Sequence, residues 1–214
     1  MKIPASDLDL DYRIEHAWKD FLEPVLREEG FKGSGRNFRC SEHEFVKCVS
    51  FQSAQHGGRF AINLGVQPTM IPDVTGNDVN VSKICEIDCE FRRRLTDGAT
   101  DQWWSYTQLN SSKIQAAQDA ATSLVKFGLP SFARMVGSQS QLLAINPITF
   151  AAGAFDFSGF ISTKVCMARA LALVRLAHGD KGASRAFAAL ALAEISGSSG
   201  SGLRAELMEL ARAD

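Results

Sequence analysis

The fold is decided by three short stretches, RNFRCS at residues 36–41, FVKCVSFQS at 45–53 and RFAINLGV at 59–66. Apolar and polar residues alternate along each stretch, which is typical of a strand that has one face on a core. The letters QHGG at 55–58 separate the last two stretches and indicate a hairpin loop. The sequence therefore predicts three neighbouring antiparallel strands.

A helix is predicted before these strands, from residue 9 to residue 29. Its apolar residues recur at helical spacing and form one stripe: Ile14, Ala17, Trp18, Phe21, Leu22, Val25 and Leu26. Pro24 lies inside this pattern and predicts a kink, because proline cannot donate the helical hydrogen bond. Gly30 comes next and suits the left-handed conformation that ends many helices.

Two further strands and a second helix are predicted downstream. Alternation predicts a fourth strand at 84–95, whose core-facing residues are Cys85, Ile87, Cys89 and Phe91. A fifth strand is predicted at 102–109 and a helix at 111–127. We expect Gly128 to end that helix in a left-handed conformation, since Pro130 follows closely.

The second half of the chain is richer in alanine and leucine. No element is predicted over 138–162. Residues 163–178 and 184–195 predict a helical hairpin, 196–202 a Ser/Gly linker and 203–213 a last short helix.

These elements predict an α+β fold. We expect a mainly antiparallel sheet of four or five strands packed by helices, followed by a helical C-terminal region. The expected division is an α+β domain at 1–135 and a helical region at 136–214 that packs on it.

Composition and charge narrow the function classes. The chain has 23 Lys+Arg against 24 Asp+Glu and a net charge of −1, which gives no reason to expect a nucleic acid or an anionic membrane as partner. The N-terminus lacks the apolar core of a signal peptide, and no apolar stretch is long enough for a membrane helix. The five cysteines are odd in number and form no C-x-x-C pair. We therefore expect free thiols in a cytoplasmic protein.

The candidate metal ligands are Cys40, His43, Cys85 and Cys89. Zinc would need all four in a tetrahedron. Cys85 and Cys89 on one strand would lie about 13 Å apart, too far for one ion. The sequence has no G-x-S-x-G elbow, and its four histidines lie far apart along the chain. We expect no metal, no cofactor and no catalytic residue. The alternative is a catalytic triad whose residues are distant in the sequence and meet only in the folded protein.

Arginine and tryptophan supply the candidate binding face. In Arg92-Arg93-Arg94, alternation sends the outer two away from the core, and Arg93 must meet a carboxylate, backbone carbonyls or the sheet rim. Of Trp103 and Trp104, only one can share the face of Tyr106, and the other is exposed or covered by the C-terminal helices. The predicted binding residues are Arg39, Arg59, Asn63, Arg92, Arg94 and Trp103. A solvated strand end with one ion pair is the plainer interpretation.

Several of these pieces occur in a characteristic order: Gly30-Phe31, the strand from Arg36, Asn63-Leu64-Gly65, Arg94-Leu95, Trp103-Trp104 and Phe127-Gly128-Leu129-Pro130. In this order, residues 10–135 resemble the bacterial domain of unknown function 4304 family. The resemblance implies a bacterial α+β protein and names no catalytic residue. It does not extend over the C-terminal part.

The expected function is a non-catalytic cytoplasmic binding protein with another protein as partner, in a toxin-neutralising or regulatory role. The alternative is a small hydrolase with its site between the sheet and the long loop at 67–82. A deep pocket that holds His43 or His56 beside an acid would favour the hydrolase.

Overall fold

A computed structural model describes residues 7–8, 11–98, 101–137, 140–195 and 201–212. Its antiparallel sheet has the order β1-β2-β3-β4-β5, with β6 paired to β4. The strands are β1 (Lys32–Ser34), β2 (Asn37–Glu42), β3 (Phe45–Ser53), β4 (Arg59–Pro68), β5 (Phe91–Arg94) and β6 (Trp104–Ser105). The predicted α+β class and antiparallel sheet are confirmed.

The helices before and after the sheet are interrupted in the same way. The first part comprises α1 (Ile14–Ala17) and α2 (Glu23–Glu28), joined by a π-turn at Trp18–Leu22. The second comprises α3 (Asn110–Ser123) and α4 (Leu129–Val136), joined by a π-turn at Leu124–Gly128. The predicted start at residue 9 lies outside the described residues, and helical structure begins at Ile14.

Each π-turn has a proline shortly after it, Pro24 in α2 and Pro130 in α4. A proline lacks the N–H that an α-helix needs and its ring crowds the carbonyl four residues earlier, so a wider turn accommodates it. The prediction that Gly128 ends its helix was therefore wrong: its φ is −70°, and the helix continues through it. Gly30 does adopt the predicted left-handed conformation, with φ 79°.

The C-terminal region is helical as predicted. It contains α5 (Gln141–Ala144), α6 (Pro147–Ala151), α7 (Lys164–Ala177), α8 (Lys181–Glu194) and α9 (Ser201–Arg212). The two shortest helices, α5 and α6, lie in the segment for which no element was predicted. Residues 196–200 of the predicted linker lie outside the described residues. Within the described part of the chain, no helix is long and apolar enough to cross a membrane.

One apolar core joins the inner face of the sheet to the helices. Trp18 lies at its centre, with its ring 5.3 Å from the rings of Phe51 and Phe60. The same buried cluster runs on to Leu207 and Leu210 in α9. The C-terminal helices thus complete the core that the sheet begins.

A buried ion pair also ties the C-terminal helices to the sheet region. Arg169 of α7 lies 2.9 Å from a carboxylate oxygen of Glu90 and 2.8 Å from one of Glu206. Glu90, with only 4% of its side chain exposed, precedes β5. Burial raises the pKa of Glu90 although the charge of Arg169 lowers it. Burial lowers the pKa of Arg169, but its hydrogen bond to Glu206 and the two carboxylate charges outweigh this and raise it.

The predicted fourth strand at 84–95 was wrong in its first half. A 3-10 turn occupies Glu86–Asp88, and the strand begins only at Phe91. Ile87, predicted to face the core, is 65% exposed, while Cys89 is fully buried. The segment crosses the opposite side of the sheet, where Ile84 and Cys89 pack on Val46 and Cys48 in a second, smaller cluster.

The predicted fifth strand is shorter than expected, since pairing to β4 covers only Trp104 and Ser105. Trp104 shares its face with Tyr106, and its ring stacks on Phe60 at 5.6 Å. Trp103 points to the other face, as alternation requires.

Candidate functional site

The polar residues of the sheet form two rows on its outer face, opposite Trp18. Directly paired residues in an antiparallel sheet point to the same side. Pairing across β2, β3, β4 and β5 gives a first row of Asn37, Ser50, Asn63 and Arg94. The second row consists of Arg39, Cys48, Gly65 and Arg92. The register therefore brings Asn63, Arg92 and Arg94 together.

Gly65 decides how the second row is covered. A side chain at Gly65 would place its Cβ 2.8 Å from the Cys89 sulfur and 3.1 Å from the Glu86 Cα. Only a glycine lets the 3-10 turn lie this close to the sheet. Glu86 reaches the first row from there, and its carboxylate accepts a hydrogen bond from the Ser50 hydroxyl at 3.3 Å.

An open groove lies along the first row. It consists of two cavities, of about 550 Å³ and about 490 Å³, that share Asn63, Glu86, Arg92 and Arg94. We call their union the polar groove. The larger cavity reaches Gly159 and Ile161, and the smaller one reaches Arg36 and Ile87.

Arg94 is held firmly within the groove. Its guanidinium donates to the side-chain oxygens of Asn63 at 3.1 Å and Gln52 at 2.7 Å. It also lies 3.4 Å from a carboxylate oxygen of Asp101. Gln52 accepts a second hydrogen bond from the Asn63 amide at 2.9 Å. This network makes Arg94 a fixed part of the groove floor.

Trp103 lies between two arginines, of which only Arg94 lines the groove, and neither Trp103 nor Arg59 is part of its lining. The Cζ atom of Arg94 is 4.7 Å from the centre of its ring, and that of Arg59 is 4.8 Å away. Such cation–π contacts orient both guanidiniums. Trp103 is half-buried by these contacts. Its place beside the outer-face arginines agrees with the predicted face.

Arg92 is far less constrained. It is exposed, and the one hydrogen bond that its side chain forms with the described residues, to the Ile87 carbonyl, is long, at 3.4 Å. The ion pairs of the described residues do not include it. Burial raises the pKa of the nearby Glu86, although the charges of Arg92 and Arg94 and the Ser50 hydrogen bond lower it. The guanidinium of Arg92 thus keeps N–H donors that a bound group can use.

Arg39 lies apart from the other predicted residues, because the segment at 82–89 separates it from the groove. Its guanidinium donates to the Ser82 carbonyl. Burial raises the pKa of the nearby Cys85, and the charge of Arg39 offsets part of this rise. Arg39 lines neither cavity. Conversely, the prediction missed Ser50, Gln52 and Glu86. The glycine inside β4 was the signal for Glu86, since it marks a close approach of another backbone.

The two histidines named for the hydrolase alternative, His43 and His56, lie outside the groove. Across the residues that the structure describes, no three His, Cys, Asp or Glu side chains gather as metal ligands would. Between the sheet and the 67–82 loop, the buried Gln67 amide donates to the carbonyls of Pro68, Ile71 and Pro72. This side chain therefore serves to hold the loop.

Comparison with known proteins identifies a family. The family model described as a domain of unknown function, DUF4304, matches residues 22–134. The chain belongs to the DUF4304 family. The matched range contains all six strands of the sheet and ends inside α4. The four residues that both cavities share, Asn63, Glu86, Arg92 and Arg94, therefore lie within the family's range. No curated protein and no solved structure matches the chain.

Proposed function

We propose that this protein is a non-catalytic binding protein whose polar groove takes an acidic segment of a partner protein. The observation that carries the proposal is Arg92, which is exposed in the groove and forms no ion pair with the described residues. A guanidinium offers five N–H donors in a fork that matches a carboxylate. Arg94, held by Asn63 and Gln52, presents a second cation beside it.

Two exposed isoleucines support a protein as the partner. Ile87 at one end of the groove is 65% exposed, and Ile161 at the other end is 67% exposed. Apolar side chains at the edge of a polar cleft are typical of surfaces that bind proteins. Trp103 and its two arginines add the residue types that dominate binding energy at such surfaces.

The test uses a short fluorescein-labelled peptide of aspartate and glutamate with one central leucine. Fluorescence anisotropy measures its dissociation constant for the wild-type protein and for the Arg92→Ala/Arg94→Ala variant. We expect at least about a tenfold weakening, since hydrogen bonds to charged groups contribute about 1.5–3 kcal/mol. We expect the free energy of unfolding to fall by about 2 kcal/mol, because Arg94 loses its hydrogen bonds to Asn63 and Gln52 whereas Arg92 is exposed.

The matched control is Lys19→Ala/Lys126→Ala, which removes the same charge from two exposed positions on the helices. This variant should bind the peptide as the wild type does. If the arginine variant binds as tightly as the wild type, or if the lysine variant loses as much affinity, the groove is not the binding face.

A further inference from the structure

A rigid turn closes the larger cavity of the groove. The N–H of Phe160 donates to the Phe157 carbonyl at 2.9 Å, and both rings are buried in the core. Ser158 and Gly159 between them are left-handed, with φ of 54° and 78°. Backbone hydrogen bonds of 3.0 and 3.4 Å join Ile161 to Arg92 of β5. The turn is therefore fixed relative to the arginines.

Two arginines converge on this turn, and their hydrogen bonds go to Ser158 and not to a carboxylate. Arg93 donates from Nη1 to the Ser158 carbonyl, and Arg134 donates from Nε to the Ser158 hydroxyl at 3.0 Å. Neither occurs among the ion pairs of the described residues. Burial lowers the pKa of Arg93, and the charge of Arg134 lowers it further, whereas Asp156 raises it.

The nearby carboxylates are already engaged by other groups. Asp156 accepts a hydrogen bond from the Ser158 N–H at 2.7 Å, Asp101 lies beside Arg94, and Glu86 accepts from Ser50. No described residue accepts a hydrogen bond from Nη2 of Arg93. Arg93 is one of the residues that line the larger cavity. Arg92 lines the same cavity with its own unused donors.

Gly159 lets the guanidinium of Arg93 pack directly against the turn. A Cβ there would lie 3.2 Å from the guanidinium carbon of Arg93, so any side chain would crowd that group. The positive φ of Gly159 also favours glycine. Gly159, Arg92 and Arg93 all line the larger cavity.

We propose that this end of the groove is a phosphate site, in which Arg92 and Arg93 hold a phosphate monoester on the partner protein. A phosphate monoester carries a charge of about −1.5 to −2 and three terminal oxygens, so it can engage two guanidinium forks at once. A carboxylate has only two oxygens and a single charge. The partner as the source of the phosphate rests on the proposed function, whereas the site itself does not.

The first test is isothermal titration of the wild-type protein with inorganic phosphate, against sodium chloride of equal ionic strength. We expect saturable binding to one site. Arg93→Gln should weaken it at least about tenfold, and Arg93→Lys should weaken it less, because lysine keeps the charge but loses the fork. The Lys19→Ala/Lys126→Ala variant should bind phosphate unchanged. Absence of saturable binding to the wild type would overturn the proposal.

Arg92→Gln keeps the test decisive if Arg93→Gln does not fold, since Arg92 is exposed on β5 and lines the larger cavity. We expect it to weaken phosphate binding severalfold, and unchanged binding in every folded arginine variant rejects the site. A second arm compares the acidic peptide with and without one phosphoserine. Tighter binding of the phosphopeptide supports a protein-borne phosphate, and equal binding rejects that source. Phosphate binding without peptide binding would overturn the proposed function and leave the phosphate site standing.

Discussion

The two faces of the sheet use the same strands for opposite purposes. On the inner face, the rings of Phe51 and Phe60 surround Trp18, and helices cover them completely. On the outer face, the 3-10 turn covers Cys48 and Gly65, while Asn63, Arg92 and Arg94 line the open groove. Alternation thus lets each strand stabilise the fold with one residue and present a polar group with the next.

Trp103 and Trp104 show this difference between adjacent residues. Trp104 is buried against Phe60 on the inner face, while Trp103 lies between two guanidiniums on the outer face. Burial of an aromatic ring contributes much more to stability than a cation–π contact at a solvated site. The pair therefore separates the two roles within one dipeptide.

Trp104→Ala should have the largest effect on stability. Removal of a buried aromatic ring costs about 3–5 kcal/mol in free energy of unfolding, because the surrounding core cannot collapse fully. Trp103→Ala should cost only about 1–2 kcal/mol, the value of its two cation–π contacts. Urea unfolding followed by circular dichroism measures both values.

The same variants should act on binding in the reverse order. Trp103→Ala removes the ring that orients Arg59 and Arg94. It should therefore weaken the binding of the acidic peptide more than Trp104→Ala does, when both variants are measured as folded proteins. Equal losses of stability for the two variants would contradict the division between the faces.

Gly65→Ala should have an intermediate effect on stability. The added Cβ would meet the Cys89 sulfur at 2.8 Å and the Glu86 Cα at 3.1 Å, so the 3-10 turn must move. Such overpacking costs about 1–3 kcal/mol in free energy of unfolding. The control is Gly98→Ala, since a Cβ at Gly98 meets nothing within 4 Å. Two equal melting curves for these variants would show that the turn does not need Gly65.

The inner face could be predicted from the sequence because its signal is regular. The apolar residues Phe60, Ile62, Leu64 and Val66 alternate without exception, and all four are fully buried. The inward Arg93 was also predicted to need a carboxylate, backbone carbonyls or the rim, and it meets the Ser158 carbonyl. Period-two alternation and the satisfaction of buried polar groups suffice for this part of the fold.

The covered part of the outer face could not be predicted from alternation. Cys85, Ile87 and Cys89 alternate with polar residues as they would in a strand. The segment instead contains a 3-10 turn, which places Ile87 in solvent and Cys89 in a separate buried cluster. The contact that selects this path joins Gly65 to Glu86, residues far apart in the sequence. A single glycine carries that information, and local periodicity does not contain it.

The predicted helix end at Gly128 was wrong for a related reason. Gly128 before Pro130 resembles a helix end, but the π-turn at Leu124–Gly128 carries the chain into α4. Gly128 is buried, and its Cβ would lie 2.8 Å from a methyl group of Leu124. The glycine serves close packing there, which sequence reasoning mistook for a cap.

Glu86→Gln tests the outer face with the smallest change. Burial raises the pKa of Glu86 above its ordinary value of 4.5, so the charged form is disfavoured in the folded protein. Its contribution to stability is therefore present below that ordinary value and is lost as the pH rises through the folded pKa. Since glutamine resembles the protonated form, the variant should be more stable than the wild type at neutral pH. The difference should shrink as the pH falls below 4.5.

Urea unfolding of both proteins at several pH values checks this expectation. The control is Glu209→Gln, which makes the same substitution at an exposed position of α9. The same substitution should tighten acidic-peptide binding at neutral pH, because it removes a negative charge beside Arg92 and Arg94. A variant that is less stable than the wild type at neutral pH would mean that Glu86 is held by its arginines as a structural ion. The charges of Arg92 and Arg94 would then stabilise the fold through Glu86 and would not be available to a partner. The outer face would in that case serve stability, as the inner face does.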